Sequence, residues 1–577
     1  MIAILASWVY IFLLTYTYGL VLYKAALLCR LIPSDDTLIS AEYLSLAGLA
    51  VLTPLLGYWS LFFKVGLFAN GVLVAFAGMF IALNFGEFIQ HLRFTVSKLS
   101  RMNKVFIALW LIICVVILLD SLVHPQVWDT GGYHAQTIQW IEKYKAIKGL
   151  GNLHGRLAFN SSFFLPSALF SFSFLKFPPL HSLNGYLLIL LSFSVIRYFG
   201  ERKRMPGKHS FFYAGLFILG MSFFDMRISS PSTDLPTAVF IWYIFLIILR
   251  KIELVRLKLF DFYSLVAIIL VCLTVTVKLS AIPVALIILY LLYFSYKDWG
   301  YNQLMLIAVI AIFFIFQWIM RNSILSGYLV YPYPSIDVFT FDWKIPIEKV
   351  IDEKHSIYCW PRRIPGRPWG EVLTMSVNEW FPVWFSSKSL YLKTLFIFCI
   401  TSPVIIAFRV IPDPSHFRKN CPFILFWAIS FVGVLFWFLT APDFRFVYGF
   451  MTISVLIAVY VLFGETIFRS RSFNYGLLIV FAVFIVFFLK SSPFFSDKRT
   501  FFSDDGPQMS FRNSWLFPEP YRAIEVDARS FDGFEVSIPR KGNLCWNTPV
   551  PCAPSCNKNL ELRGKAFEDG FRTKSDR

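Results

Sequence analysis

The chain has 577 residues, is 57% hydrophobic and 19% aromatic, and only 15% of its side chains are charged; its mean hydropathy is +0.63. Soluble globular domains are about 45–50% apolar, so this composition excludes an ordinary water-soluble protein and implies a polytopic membrane protein. The net charge of +18 does not imply nucleic-acid binding, because most basic residues fall in short loops between apolar runs, as the positive-inside rule expects; the remainder suit anionic lipid or a phosphate-bearing substrate.

A spanning helix needs about 20 mostly apolar residues. Runs that qualify centre near residues 15, 53, 76, 113, 187, 217, 243, 270, 289, 311, 401, 430, 454 and 482, which predicts an all-α fold of about 14 transmembrane helices. The first run, from Ile2, has no basic n-region and no small-residue cleavage site, so it reads as a span and not as a signal peptide. Lys24 and Arg30 follow the first run. Arg93, Lys98, Arg101 and Lys104 follow the third, and Arg197, Arg202, Lys203, Arg204 and Lys208 the fifth. Arg250, Lys251, Arg256 and Lys258 follow the seventh, Lys297 the ninth, Arg409, Arg418 and Lys419 the eleventh, and Arg469 and Arg471 the thirteenth. Every second loop is therefore basic, which places these loops in the cytoplasm and both termini outside.

The outer loops follow by alternation. They are 123–177, 226–234, a turn near Leu279, 321–390, the turn Ala441–Phe444, and the tail from 491 to 577. Phe163–Phe177 is apolar but too short for a crossing that keeps the alternation, so it lies along the interface or re-enters. The loop 321–390 is rich in Pro, Trp, Tyr and Arg, and aromatics of this kind favour the membrane surface. Cys29, Cys114, Cys272, Cys399 and Cys421 fall in or beside helices and read as small apolar packers. Cys359, Cys545, Cys552 and Cys556 fall outside, where disulfides persist. Cys545-Trp-Asn-Thr-Pro-Val-Pro-Cys552 reads as a proline-stiffened loop closed by one bridge; a zinc site competes, but no His accompanies these cysteines.

The outer loops hold nearly all the residues that could do chemistry. Asp129-Thr-Gly-Gly-Tyr133-His134 follows the run that ends near Leu122, with Trp140, His154, Arg156 and Asn160 downstream. A carboxylate on a Gly-permitted turn at a membrane surface is costly to desolvate and suits a catalytic base or a divalent-cation ligand, magnesium or manganese; a solvated helix-ending turn is the plainer reading. Asp234, in Ser229-Ser-Pro-Ser-Thr-Asp234-Leu-Pro236, is a substrate contact, a helix cap, or both. Lys278 and Arg321 either snorkel to the interface or bind an anion. Asp443 and Arg445 can form a local pair. No Walker loop, nucleophile-elbow Ser, zinc-peptidase helix or dinucleotide fingerprint is present.

Taken together these stretches resemble the C-type glycosyltransferase superfamily, integral-membrane enzymes that use lipid-linked sugar donors. Asp129, in Trp128-Asp-Thr-Gly-Gly-Tyr-His, matches the essential Asp of the first large outer loop. Arg321-Asn322…Gly327…Tyr331-Pro332 is similar to a run of the bacterial mannosyltransferase-like branch, with Leu329 where a Pro often stands. Lys278-Leu-Ser…Pro283 and Pro442…Arg445-Phe446 resemble two further stretches, the latter with Phe for the usual Tyr. The likeness spans about 105–450. It implies a core over 105–490 with interfacial helices in its outer loops; the three extra N-terminal helices over 1–104 and the small outer C-terminal segment over 491–577 depart from the family.

The resemblance further implies transfer of a sugar from a polyprenyl-phosphate donor to a glycan, lipid or protein acceptor outside the membrane, most simply a bacterial inner membrane. Asp129 would be the general base and Lys278, Arg321 and Arg445 the phosphate grip. Tyr133, His134, Asp234, Tyr331 and Glu379 would be further substrate contacts. No nucleic acid is involved, and a divalent cation held by Asp234 and His134 stays open. Two other readings compete: an O-antigen-type polymerase or ligase working through outer-loop Arg residues, and a lipid-sugar transporter or flippase.

Overall fold

A computed structural model describes residues 1–33, 39–201, 210–221, 228–469, 515–531 and 533–574, with Ile479 and Val483 standing alone between them. The chain is mostly helical. Its helices are α1 Ile2–Leu28, α2 Ala41–Phe62, α3 Leu67–Leu83, α4 Phe85–Ser100, α5 Lys104–Leu122, α6 Ala135–Lys143, α7 Phe164–Leu169, α8 Leu183–Gly200 and α9 Ser210–Met221. There follow α10 Asp234–Glu253, α11 Phe262–Val277, α12 Leu286–Ser295, α13 Tyr301–Ser326, α14 Ile347–Cys359, α15 Val377–Ser386, α16 Leu390–Val410, α17 Pro414–Thr440 and α18 Tyr448–Arg469.

Among the described residues, 8 helices are long and apolar enough to cross a membrane: α1, α2, α5, α8, α10, α13, α16 and α17. The pair α3 and α4 makes a ninth if counted as one span; it bends by 94° at Asn84. The expected runs near residues 270 and 289 give shorter helices, and the reasons are local. The run near residue 289 leaves α11 at Lys278 and winds tightly through Leu279–Ala285 around Pro283, so only Leu286–Ser295 remains α-helical. Asp261 caps α11, its carboxylate accepting from Ser264 N at 2.9 Å, which fixes a late start. The run expected near residue 482 lies outside the described residues.

Burial separates centre from periphery. Of the most apolar stretch of α10, 89% is buried inside the protein, against 28% for α13 and for α16. A helix apolar on every side belongs at the centre of a bundle, and α10 packs against α8, α11 and α18. Helices α1 and α2 cross with their backbones nearly touching. A Cβ at Gly19 would lie 1.9 Å from Leu44 O, and one at Gly48 would lie 1.7 Å from Thr15 O. Small residues at a crossing allow this approach where lipid supplies no hydrophobic drive. Thr15 and Ser45 bond across it at 2.7 Å.

The loops 123–177 and 321–390 carry their own helices, α6, α7, α14 and α15. The all-α expectation fails in the tail. Val526–Phe531 (β1) pairs antiparallel with Phe534–Pro539 (β2), and Leu560–Leu562 (β3) with Phe571–Thr573 (β4). In β2, Phe534 and Val536 are buried while Glu535 between them is exposed, the period of two that a half-buried strand requires. Phe534, Val536, Leu560 and Phe571 form one cluster with Trp140, Leu150, Leu153 and Leu325. The tail is thus packed onto the loop that follows α5 and onto the end of α13.

Candidate functional site

The chain leaves α5 through Val123–Trp128 and turns at Asp129. Thr130–His134 winds wide, as a single π-helical turn, before α6 begins. Such turns are uncommon and cluster at functional sites. The two glycines are required by crowding. A Cβ at Gly131 would meet the Trp546 ring at 2.7 Å, and one at Gly132 would meet the Trp128 ring at 3.2 Å. The Trp546 amide also donates to Gly131 O at 2.9 Å. Gln136 donates to the carbonyls of Trp546 at 3.1 Å and Thr548 at 2.7 Å. Cys545 and Cys552 are joined by a disulfide, closing the loop that carries these contacts.

Helix ends bring the remaining charges to this turn. Asp234 begins α10, where the helix dipole favours an anion, and Lys278 ends α11, where it favours a cation. The two helices are antiparallel neighbours, so both charges arrive at one face, and Lys278 Nζ donates to Asp234 Oδ1. Arg445 comes from the turn between α17 and α18. Asp443 fixes that turn, its carboxylate accepting from Arg445 N at 3.2 Å and Nε at 3.0 Å. Arg445 Nη1 then donates to Asp129 Oδ2 at 2.5 Å and lies 3.8 Å from Asp234 Oδ2. The Lys278 ammonium sits 3.8 Å above the Phe446 ring.

The long loop closes the site from the other side. Arg362 is buried and donates to the carbonyls of Phe438 at 2.9 Å, Leu439 at 3.1 Å and Thr440 at 3.0 Å. These oxygens end α17 without partners in their own helix. Trp384 Nε1 donates to Pro442 O at 2.9 Å and Trp437 Nε1 to Asp443 O at 2.7 Å. The loop so pinned delivers Glu353 on α14. Arg156 bridges the two carboxylates, 3.6 Å from Asp129 Oδ1 and 3.4 Å from Glu353 Oε1, with its guanidinium 5.1 Å from the Trp128 ring centre.

These groups line a single cavity of about 490 Å³, within the range of small-molecule sites. Trp128, Arg156, Tyr331, Glu353 and Trp360 gather in one part of its lining; Phe446 lies against Lys278, and Val277, Leu279 and Phe436 add apolar surface. Burial pushes the Asp129 carboxyl upward, but Arg445, with His134 and Arg156, outweighs it and holds the group below its ordinary value. Asp129 is therefore ionised at neutral pH. Burial lowers His134 to about 4, so it is neutral there; its Nδ1 lies 3.3 Å from Thr130 Oγ1. Burial raises Glu353, against the pull of Arg156.

Of the residues expected at the site, Asp129, Tyr133, His134, Asp234, Lys278, Tyr331 and Arg445 all line this cavity. Arg321 does not. It lies behind the wall, donating to Asn160 Oδ1 at 3.1 Å and to Ser60 Oγ. Asn160 itself faces the cavity, so Arg321 supports a lining residue. Glu379 is remote: it is a capping residue on the surface, accepting from Ser376 N at 2.7 Å and Oγ at 2.8 Å. Glu353 and Trp360 had no sequence signal, since their neighbourhood reads only as a long aromatic loop. Arg445 donates to one carboxylate oxygen of Asp129 and Lys278 to one of Asp234, and among the described residues no three His, Cys, Asp or Glu side chains converge.

Residues 1–452 match the family described as a domain of unknown function, DUF8201. The chain belongs to this family. The whole DUF8201 cavity, from Trp128 to Phe446, falls inside the matched span, whereas Trp546 and its disulfide loop fall beyond it. No curated protein and no solved structure matches the chain.

Proposed function

We propose that this membrane protein is a glycosyltransferase of the C type, moving a sugar from a polyprenyl-phosphate donor to an acceptor hydroxyl at the outer face, with Asp129 as general base. The observation that carries the reading is the meeting of Asp129, Arg156, Lys278 and Arg445 in one cavity that also has apolar walls, Val277, Leu279 and Phe436 among them. A prenyl chain suits apolar walls of this kind, and its phosphate suits the cations. The acceptor oxygen attacks C1 of the sugar and the C1–O bond to phosphate breaks. Asp129 receives the hydroxyl proton, and the charge on the departing phosphate is met by Arg445 and Lys278. A phosphate that draws Arg445 away also frees Asp129 from its strongest partner and makes it a better base. The carboxylate is thus weak until the donor is in place.

The same reading takes fourteen crossings and an outer, periplasmic cavity in a bacterial inner membrane. Contacts between distant loops support the alternation. On the cavity face, Val65 N donates to Ile141 O at 2.9 Å, Ile2 N to Trp515 O at 3.1 Å and Glu519 N to Leu122 O at 2.8 Å. On the opposite face, Asn103 N donates to Gly200 O at 3.3 Å and Trp299 Nε1 to Lys258 O at 2.9 Å.

The test is Asp129→Asn in purified protein supplied with a labelled polyprenyl-phosphate sugar. General-base catalysis contributes about 10²–10⁴ in rate, so transfer should fall by that factor while insertion and yield hold. Unchanged transfer removes Asp129 as base. Transfer lost in Arg445→Ala but kept in Asp129→Asn would favour the polymerase-type reading. Movement of intact lipid-sugar across liposomes without transfer would instead identify a transporter.

A further inference from the structure

We propose that the part of the cavity formed by Trp128, Trp360, Arg156, Glu353 and Tyr331 is an acceptor subsite and that the acceptor is itself a carbohydrate. The inference rests on the transferase reading, which leaves the acceptor open. Most tryptophans of the helical body are buried; Trp242, Trp384 and Trp437 are examples. Trp128 and Trp360 depart from this, with 37% and 50% of their surface exposed, and both line the cavity. They stack on each other at 6.3 Å with their planes 25° apart. Interfacial anchoring explains isolated tryptophans that face lipid. It does not explain two that stack together inside a polar pocket beneath a guanidinium.

The chemistry around them fits a pyranose. The axial C–H groups of a sugar ring carry a small positive charge and pack on the negative face of an indole. The ring's hydroxyl edge then needs fixed acceptors and donors. Glu353 supplies carboxylate oxygens, Arg156 supplies planar N–H donors, and Tyr331 supplies a hydroxyl. Among the described residues the Tyr331 hydroxyl has no hydrogen-bond partner, and it is turned toward the Glu353 side, where Gly155 keeps the space open: a Cβ there would lie 3.1 Å from Tyr331 Oη and 3.4 Å from Glu353 Oε2. Arg156 touches both Glu353 and Asp129. A sugar held by the first carboxylate therefore presents its hydroxyl to the second.

The experiment uses the full-length detergent-solubilised protein on a printed array of oligosaccharides and a matched array of peptides. Wild type should retain at least one class of oligosaccharide. Trp360→Ala should lower that signal about tenfold, the loss expected for one aromatic stacking partner. Trp360→Phe should keep most of it. Trp369→Ala, which changes an exposed tryptophan of the same loop outside the cavity, should leave it unchanged. Equal binding by wild type and Trp360→Ala, no oligosaccharide bound by wild type, or retention of peptides instead would each overturn the proposal. The two readings fail separately. Glycan binding lost in Trp360→Ala, with no transfer from a polyprenyl-phosphate sugar by wild type, sinks the transferase and keeps the subsite. Transfer to lipid or peptide that Trp360→Ala does not alter sinks the subsite and keeps the transferase.

Discussion

Arg445 is the residue whose removal tests the electrostatic design most directly. Its guanidinium faces Asp129 at 2.5 Å, Asp443 at 3.0 Å and Asp234 at 3.8 Å. In Arg445→Ala these carboxylates lose their shared partner unequally. Asp234 keeps Lys278. The Asp443 side chain is 30% exposed and regains water, so its loss is small, about 1 kcal/mol or less. Asp129 is only 16% exposed and keeps just the longer contact to Arg156. Stranding one partner of such a buried pair costs about 3–5 kcal/mol. The expected outcome is a fall of several degrees in the apparent unfolding temperature of the detergent-solubilised protein. Removing the stranded charge should restore most of it, so that Arg445→Ala combined with Asp129→Asn shows a coupling of about 3 kcal/mol.

The pH dependence has opposite signs in the two proteins. In wild type Arg445 helps hold the Asp129 carboxyl below its ordinary value, so this stabilisation is complete above the unfolded carboxyl range and is lost as pH falls through the depressed folded one. Without Arg445 burial dominates and the folded carboxyl rises, so protonation relieves the variant. Its deficit should therefore shrink between about pH 7 and about pH 5. Strictly additive single and double variants, with a deficit that does not change with pH, would refute this account of the cluster.

Gly131→Ala should cost about 1–3 kcal/mol through overpacking against the Trp546 ring; thermal unfolding should show the loss, and Trp546→Ala in the same chain should relieve the clash. Arg362→Ala strands the last carbonyls of α17, at about 1–3 kcal/mol for each buried oxygen left without a partner; unfolding temperature and transfer rate should fall together, and Arg362→Lys should recover only part of each. His134 titrates near 6.5 when unfolded and about 4 when folded, so the unfolded chain binds its proton first and stability declines as pH drops from 6.5 to 4. The full shift corresponds to about 3 kcal/mol, and His134→Gln should flatten that limb of a stability–pH curve.

Much of the site was legible because its charges sit at helix ends. Asp129, Asp234, Lys278 and Arg445 each follow or begin an apolar run, and alternation of the loops sends all four to one side. Arg321 obeys the same logic but turns behind Asn160, because side-chain direction at a helix end is set by packing and not by position in the run. Glu379 and Glu353 look alike in the sequence, both acidic residues in one aromatic loop. The first is held by Ser376 at its own helix start, a local bond. The second is carried into the cavity by contacts that Arg362 and Trp384 make with residues more than fifty positions away. Helix ends were not legible for a related reason: hydropathy measures how apolar a run is, but Pro283, Asp261 and Asn84 decide where the helix inside it starts, tightens or bends.

Gln136 meets Trp546 across 410 positions of polypeptide, and order of synthesis gives that contact a meaning. The Asp129 turn is made early, followed by the helices that wall it, and only much later by the indole that backs it. A nascent or truncated chain holds its carboxylate cluster with one side unsupported. Completion waits until the stretch through Cys552 has been made, delivered to the same face and oxidised. Assembly of the centre is therefore a late event of biosynthesis, timed by a segment that contributes none of its walls.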